Sequence, residues 1–312
     1  MFANKIVTRP LLSDAEINQL IFAAPDIEQD NARQLSQRGR TGEQITSIKG
    51  SGSDFSEVRA YNFGDDPRHI DWRATARSRV PLVRTYHSEF SQPVCLLIDR
   101  RASMRYATRT RLKVTQALRM ALWLGGREAR CGREISAVLL DSPCQWLPPQ
   151  AGMRSLRLIA KLANAPCPPI EPDAYEPAHE GALKLQWSKI LSGLKQHIPH
   201  GSELILITDF FGLRDSDAKM LRMLGQHCST RAIHVLDASE LTPNSSGSLQ
   251  LQWGKRKRYI SGSNKHASEQ LSLELQARTK AIARSLNQAN IRYSQLSVEQ
   301  DELAAILPEI QP

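Results

Sequence analysis

Short apolar runs closed by an acid recur along the chain. Residues 92–99 (QPVCLLID), 134–141 (EISAVLLD) and 202–210 (SELILITDF) are continuously apolar over strand length, not alternating. That pattern marks strands buried on both faces, as in a parallel sheet. Residues 231–236 read as a further strand. Between the runs the period changes to that of a helix. Val114, Leu118, Ala121 and Leu122 share one face of a helix over 108–124, with Gly125-Gly126 weakening its end. Further helices are expected over 152–164, 180–198 and 214–227, with a proline-rich loop at 166–177. Residues 248–261 read as a hairpin around Gly254. Leu271, Leu275, Ile282 and Leu286 mark one long helix, followed by a strand over 291–298 and a short closing helix over 301–307. Alternating strands and helices predict an α/β fold with a doubly wound, mostly parallel sheet. Sites in such sheets lie outside the carboxyl ends of the strands. Asp99 and Asp209 both stand at such ends and become neighbours if their strands are adjacent.

The first 90 residues read differently, which predicts an N-terminal arm and signature segment over 1–90 packed on an α/β domain over 91–312. Residues 13–24 form a short helix capped by Ser13, with Glu16 three residues on. Residues 25–49 are polar and read as an irregular arm. Residues 51–90 contain six arginines, six acids and no lysine. Arginine used alone suggests planar forks held against carboxylates, a salt-bridged clasp. Gly64-Asp65-Asp66-Pro67 is a turn signal. Arg68, Asp71, Arg73 and Arg77 then fall near helical spacing around Trp72. The clasp is one reading of this segment and a partner-binding surface is the other; a metal-dependent hydrolase using Asp65, Asp66 and Asp71 is the least supported.

Charge changes the picture in one place. The formal net charge is +9, and residues 100–133 hold ten Lys or Arg against the single acid Glu128, which accounts for the whole excess. A second basic cluster spans 255–258. Such clusters mean either solvated helix faces or a surface for nucleic acid or an acidic partner. The five cysteines are dispersed, with no CxxC, which predicts reduced thiols and a cytoplasmic location. No apolar run approaches the length of a membrane span, and the N-terminus lacks the apolar core of a signal peptide, so membrane insertion is not expected.

No phosphate loop, nucleophile elbow or HExxH motif is present. His197 and His200 could form a ligand pair, but their place between a helix end and Pro199-Gly201 favours capping. The expectation is a protein without catalytic residues.

The run Gly50-Ser-Gly-Ser-Asp54-Phe55, Arg59-Ala-Tyr61, Gly64-Asp-Asp-Pro-Arg-His-Ile-Asp-Trp-Arg-Ala-Thr-Ala-Arg77, leading into the strand that ends at Asp99, resembles the signature of the domain of unknown function 58 family. The resemblance is close over 50–104 and extends loosely to about residue 298. It implies a von Willebrand factor A-like domain, the short soluble form of the family, and a MoxR-type AAA ATPase as partner in a chaperone-like or maturation role; other von Willebrand A proteins are further possible partners. It places partner binding on Asp65, Asp66, Arg68, Asp71, Trp72, Arg73 and Arg77, together with the 99–105 loop. The alternative is a nucleic-acid-binding protein using 100–133 and 255–258, with steeply salt-dependent affinity. The fold resemblance also implies a metal-ion-dependent adhesion site, D-x-S-x-S plus a Thr and a later Asp. Here Asp99, Ser103 and Asp209 match, Arg101 replaces the first serine, and Ser155 is a weak stand-in for the Thr. An arginine brings a cation and no acceptor. The expected state is therefore a degenerate site without cofactor, in which Arg101 bridges Asp99 and Asp209, and Mg²⁺ has little effect.

Overall fold

The computed structural model describes residues 10–23, 49–50, 54–61, 70–78, 80–87, 92–141, 143–167, 187–241, 249–253, 256–260 and 265–306. They belong to two compact units, one of Met1–Ile27 with Gln92–Pro312 and one of Glu28–Ser91. In chain order the elements are α1 (Asp14–Ala23), β1 (Lys49–Gly50), β2 (Asp54–Ala60), α2 (Trp72–Thr75), β3 (Leu82–His87), β4 (Val94–Asp99), α3 (Lys113–Arg130), β5 (Glu134–Leu140), β6 (Gln145–Ala151), α4 (Gly152–Ala163), α5 (Trp187–His197), β7 (Glu203–Thr208), α6 (Ala218–His227), β8 (Ser229–Leu236), α7 (Ala238–Leu241), β9 (Leu249–Trp253), β10 (Arg256–Ile260), α8 (Lys265–Gln288) and β11 (Arg292–Ser297).

The larger unit is built on a six-stranded sheet in the order β11-β8-β7-β4-β5-β6. All neighbours are parallel except β5 and β6. β4 is buried along its whole length. Val94, Leu96 and Ile98 join one core with α1, α3 and α4. Cys95 and Leu97 join the other with α5, α6 and the end of α8. An apolar strand without alternation is what two covered faces require. The sequence reading missed β6. Its QWLPPQA carries two prolines, which an edge strand tolerates because an N–H facing outward needs no partner. The hairpin of β9 and β10 forms as expected, as a separate two-stranded sheet.

α1 does not belong with the arm, so the expected boundary at residue 90 is corrected at its N-terminal side. Its capping box forms as read, with the Ser13 N–H donating to Glu16 Oε2 at 2.8 Å and the Glu16 N–H to Ser13 Oγ at 3.3 Å. Leu12, Leu20 and Ile21 are buried in the main core. Leu12 exchanges two backbone hydrogen bonds with the Asn164 side chain, at 2.8 and 2.9 Å. Apolar burial of this kind outweighs sequence adjacency to a polar arm.

Nor do the paired glycines end α3, which continues to Arg130. They let neighbours approach the helix. A Cβ on Gly126 would lie 2.1 Å from the Ile21 carbonyl oxygen. That oxygen accepts from Arg130 Nη1 at 2.6 Å. In an open helix Gly→Ala gains up to about 1 kcal/mol. At this contact Gly126→Ala is expected to destabilise by about 2–3 kcal/mol, because α1 must move. Urea unfolding checks it, and a neutral or stabilising result contradicts the packing.

In the smaller unit β3 pairs antiparallel with β1 and with β2. The helical spacing around Trp72 yields a single turn, α2. Asp71 is its N-cap, accepting from the Arg73 and Ala74 N–H groups at 3.0 and 3.1 Å. Arg73 and Arg77 are exposed, not clasped. A buried clasp would lose about 3–5 kcal/mol on breaking; for these exposed residues the expected losses are smaller. Asp71→Ala should cost about 1 kcal/mol as a lost cap. Arg73→Ala should cost no more than about 0.5 kcal/mol, both read by denaturant unfolding.

Candidate functional site

Four adjacent parallel strands of the larger unit deliver an aspartate to the same edge of the sheet. Asp99 ends β4, and Asp141, Asp209 and Asp237 stand at the ends of β5, β7 and β8. All four are buried. β4 and β7 are hydrogen-bonded neighbours, so Asp99 and Asp209 are brought together as expected. The chain leaves β4 toward β5 on one side and returns to β7 on the other. They therefore sit at the topological switch point, where α/β sheets place their ligand crevices.

Each carboxylate is held by the chain's own donors. Asp99 accepts the Arg101 N–H at 2.9 Å and its Nε at 3.0 Å on Oδ1, and Arg101 Nη2 at 2.6 Å on Oδ2. Thr208 Oγ1 also donates to Asp99 Oδ2 at 2.6 Å. Arg101 Cζ lies 5.1 Å from the Trp187 ring centroid. Burial by itself would lower the Arg101 pKa, but the charge and hydrogen bonds of Asp99 outweigh it and hold the guanidinium above its usual value. Arg101 does not bridge both acids. Asp209 is instead held by Lys113, the first residue of α3, whose Nζ is 3.0 Å from Oδ2. Ser103 Oγ donates to Asp209 Oδ1 at 3.2 Å, and the Phe211 N–H donates at 3.0 Å. Lys113 also pairs with Glu240 at 3.1 Å. Burial opposes both charges, yet each holds the other charged: Asp209 well below the usual carboxylate range and Lys113 above the usual amine value.

Asp141 faces two arginines. Arg100 Nη1 is 3.2 Å away, and Arg100 donates to the carbonyls of Leu162 and Ala165 at 2.8 and 2.7 Å. Arg105 Nη2 lies 3.9 Å from Asp141. Burial still holds the Asp141 carboxyl above its usual value despite them. Asp237 binds Thr108 through Oγ1 at 2.5 Å and N at 3.0 Å, and its own Ser239 through Oγ at 2.8 Å.

The site differs from the reading in several positions. Ser155 is no substitute for the Thr: it lies on α4 and donates to the Ile135 carbonyl at the start of β5. The hydroxyl on Asp99 comes from Thr208, one residue before an acid already singled out. Lys113 was missed, since only packing distinguishes it from the arginines around it. For a divalent ion the residues present do not fit. The oxygens it would need already accept from a guanidinium, an ammonium and hydroxyls, and among the described residues no cluster of three His, Cys, Asp or Glu could hold a metal. His197 Nδ1 meets the Gly193 carbonyl at 2.8 Å, and His200 packs edge-on against His227, as helix-end residues rather than ligands.

The cations of the basic stretch 100–133 are largely paired within the chain. Besides Arg100, Arg101, Arg105 and Lys113, Arg109 pairs with Glu299, and Arg111 and Arg119 with Asp301. Arg133 bridges Glu128 and Glu203 at 2.7 and 2.8 Å. Arg127 is buried. The expected partner residues Asp71, Trp72, Arg73 and Arg77 lie in the smaller unit, where Trp72 is 69% exposed. Asp65, Asp66 and Arg68 lie outside the described residues, as do Lys255 and the side chains of 256–258.

Beside the acid pair, His234 on β8 meets Tyr293 Oη at 2.8 Å and the Phe210 ring edge-on. Burial pushes its pKa from 6.5 down to about 4; Asp209 opposes the shift, while Lys113 and Arg278 add to it. The unfolded chain then takes up the proton first. Stability is expected to be full above about pH 6.5 and to fall as pH drops toward 4, by roughly 3 kcal/mol from this residue. His234→Gln should remove that component of the slope in pH-dependent unfolding.

Fold and site together define an α/β protein with a mostly parallel six-stranded sheet and a row of buried acids along one edge, each with partners inside the chain. The chain belongs to the family described as "Protein of unknown function DUF58", whose model matches residues 57–269. Uncharacterized proteins of Mycobacterium bovis and Mycobacterium tuberculosis are 24% identical over 216 residues, covering 68% of this chain. The chain spans 63% of the length of these relatives. Among solved structures, the conserved hypothetical protein BatB of Bacteroides thetaiotaomicron matches with a TM-score of 0.38 and 12% identity, over 70% of this chain and 97% of that one. An aerotolerance-related membrane protein of Bacteroides fragilis matches with a TM-score of 0.39 and 10% identity, over 70% and 98%. An uncharacterized membrane spanning protein of Vibrio fischeri matches at 0.21 and 11%, over 69% and 95%. The cytoplasmic location expected from the thiols is withdrawn as a correction; two of the matched proteins are described as a membrane protein and a membrane spanning protein. Among the described residues no helix is long and apolar enough to cross a membrane.

Proposed function

We propose that this chain is a non-enzymatic interaction protein with a von Willebrand factor A-like domain, serving a MoxR-type AAA ATPase in a chaperone-like or maturation role. The observation that carries the reading is the carboxyl edge of the sheet, where Asp99, Asp209 and Asp237 are hydrogen-bonded by the chain's own donors and Asp141 is ion-paired with Arg100. A general acid or base needs a proton position free for substrate; Asp99, Asp209 and Asp237, hydrogen-bonded on both carboxylate oxygens, instead fix the loops around them into a preformed surface. The strand order, with its switch point between β4 and β7 and an antiparallel edge strand, agrees with the von Willebrand A-like reading. The partner itself comes from the family resemblance, and the ATPase would supply the energy. Co-purification with a MoxR-type ATPase encoded beside this chain is the test. Binding should be lost in the triple variant Asp65→Ala, Asp66→Ala, Arg68→Ala. Unchanged capture by that variant removes the signature segment from the interface, and no capture of the ATPase by the unmodified chain ends the proposal. The nucleic-acid alternative is weaker, because the 100–133 cations are committed to partners within the chain.

A further inference from the structure

We infer that Arg101 and Lys113 are resident cations that close the Asp99–Asp209 acid pair to divalent metal ions and take over the ion's role of balancing the two carboxylates. The inference concerns the protein alone and does not depend on the ATPase partner.

The oxygen accounting is complete at this pair. Asp99 Oδ1 accepts two N–H groups of Arg101; Oδ2 accepts Arg101 Nη2 and the Thr208 hydroxyl. Asp209 Oδ1 accepts Ser103 Oγ and the Phe211 N–H; Oδ2 accepts Lys113 Nζ. An ion of the Mg²⁺ type needs oxygen lone pairs at about 2.0–2.1 Å in near-octahedral array. The Ser103 and Thr208 hydroxyls already point their protons at the carboxylates, so neither the acids nor the hydroxyls present a free set. Charge argues the same way. The two carboxylates are balanced by two cations within hydrogen-bond distance, and an entering dication would meet both at a few ångströms in a buried setting, where repulsion is poorly screened.

Neither cation can swing away at low cost. Lys113 is fixed at the first turn of a buried helix and is shared between Asp209 and Glu240. The Arg101 guanidinium is committed through its Nε and Nη2 groups and lies against Trp187. The two act at different places, Arg101 on the β4 acid and Lys113 on the β7 acid. Together they hold opposite sides of the switch point.

The test is isothermal calorimetry and thermal unfolding with Mn²⁺ or Mg²⁺ at millimolar concentration, on the full chain, with R101S and K113M. The unmodified protein should give no saturable isotherm and no thermal shift. R101S restores a hydroxyl at the vacated position and should bind at least about tenfold more tightly; K113M should be stabilised on addition of the ion. R101S leaves the Lys113 pair in place, so it carries the test if K113M does not fold. Saturable binding to the unmodified protein overturns the inference. So does the absence of any gain in R101S.

Discussion

Replacing Lys113 with Met is expected to lower the unfolding free energy by about 3–5 kcal/mol in metal-free buffer. The side chain is only 4% exposed, and Asp209 is 5% exposed. Removing the ammonium leaves a buried carboxylate with a serine hydroxyl and a backbone N–H as its remaining donors, and leaves Glu240 without its cation. Methionine keeps most of the aliphatic volume, so the loss reports the charge rather than a cavity. Arg109→Ala is the internal control. Its pair with Glu299 is 54% and 37% exposed, and solvent reduces such a pair to about 0–1 kcal/mol. Urea midpoints measured at constant slope separate the two cases. Equal, small losses at both positions would mean that Lys113 turns to solvent.

Arg100→Met is the second large expected effect, again about 3–5 kcal/mol. Arg100 is fully buried and ties the end of β4 to the last turn of α4 and the segment after it through the carbonyls of Leu162, Ala165 and Pro166. Without it those acceptors lose their donor, and Asp141 keeps only Arg105 at 3.9 Å. Asp141→Asn should cost clearly less. Burial already holds the Asp141 acid above its usual value, so much of the attraction only offsets its desolvation. Arg100 also keeps its carbonyl partners in that variant. Chemical unfolding of both variants gives the ordering, and a larger loss for Asp141→Asn would reverse the assignment of Arg100 as the anchor.

Much of the architecture is local information and could be read along the chain. Apolar runs without alternation at 94–99 and 203–208, short and closed by an acid, read as strands covered on both faces, and helical periodicity between them indicates the winding. Asp99 and Asp209 were legible because each closes such a run. Ser13 and Glu16 were legible because a capping box spans only four residues. Arg101 was legible as a disturbance of a metal site, because a cation stands where an oxygen ligand is expected.

The rest depends on contacts between residues far apart in sequence. That Asp209 takes Lys113, 96 residues away, and not Arg101, is decided by where α3 begins over the edge of the sheet. The ten cations of 100–133 look like an exposed basic surface in one dimension; burial and carboxylates brought in from Asp209, Glu203, Glu299 and Asp301 give most of them partners within the chain. Gly126 reads as a helix weakness until Ile21 is seen against it. β6 has no strand composition of its own and exists because β5 offers it an open edge. Periodicity records which face of an element is apolar; only packing determines which charges meet, and here those meetings make the site.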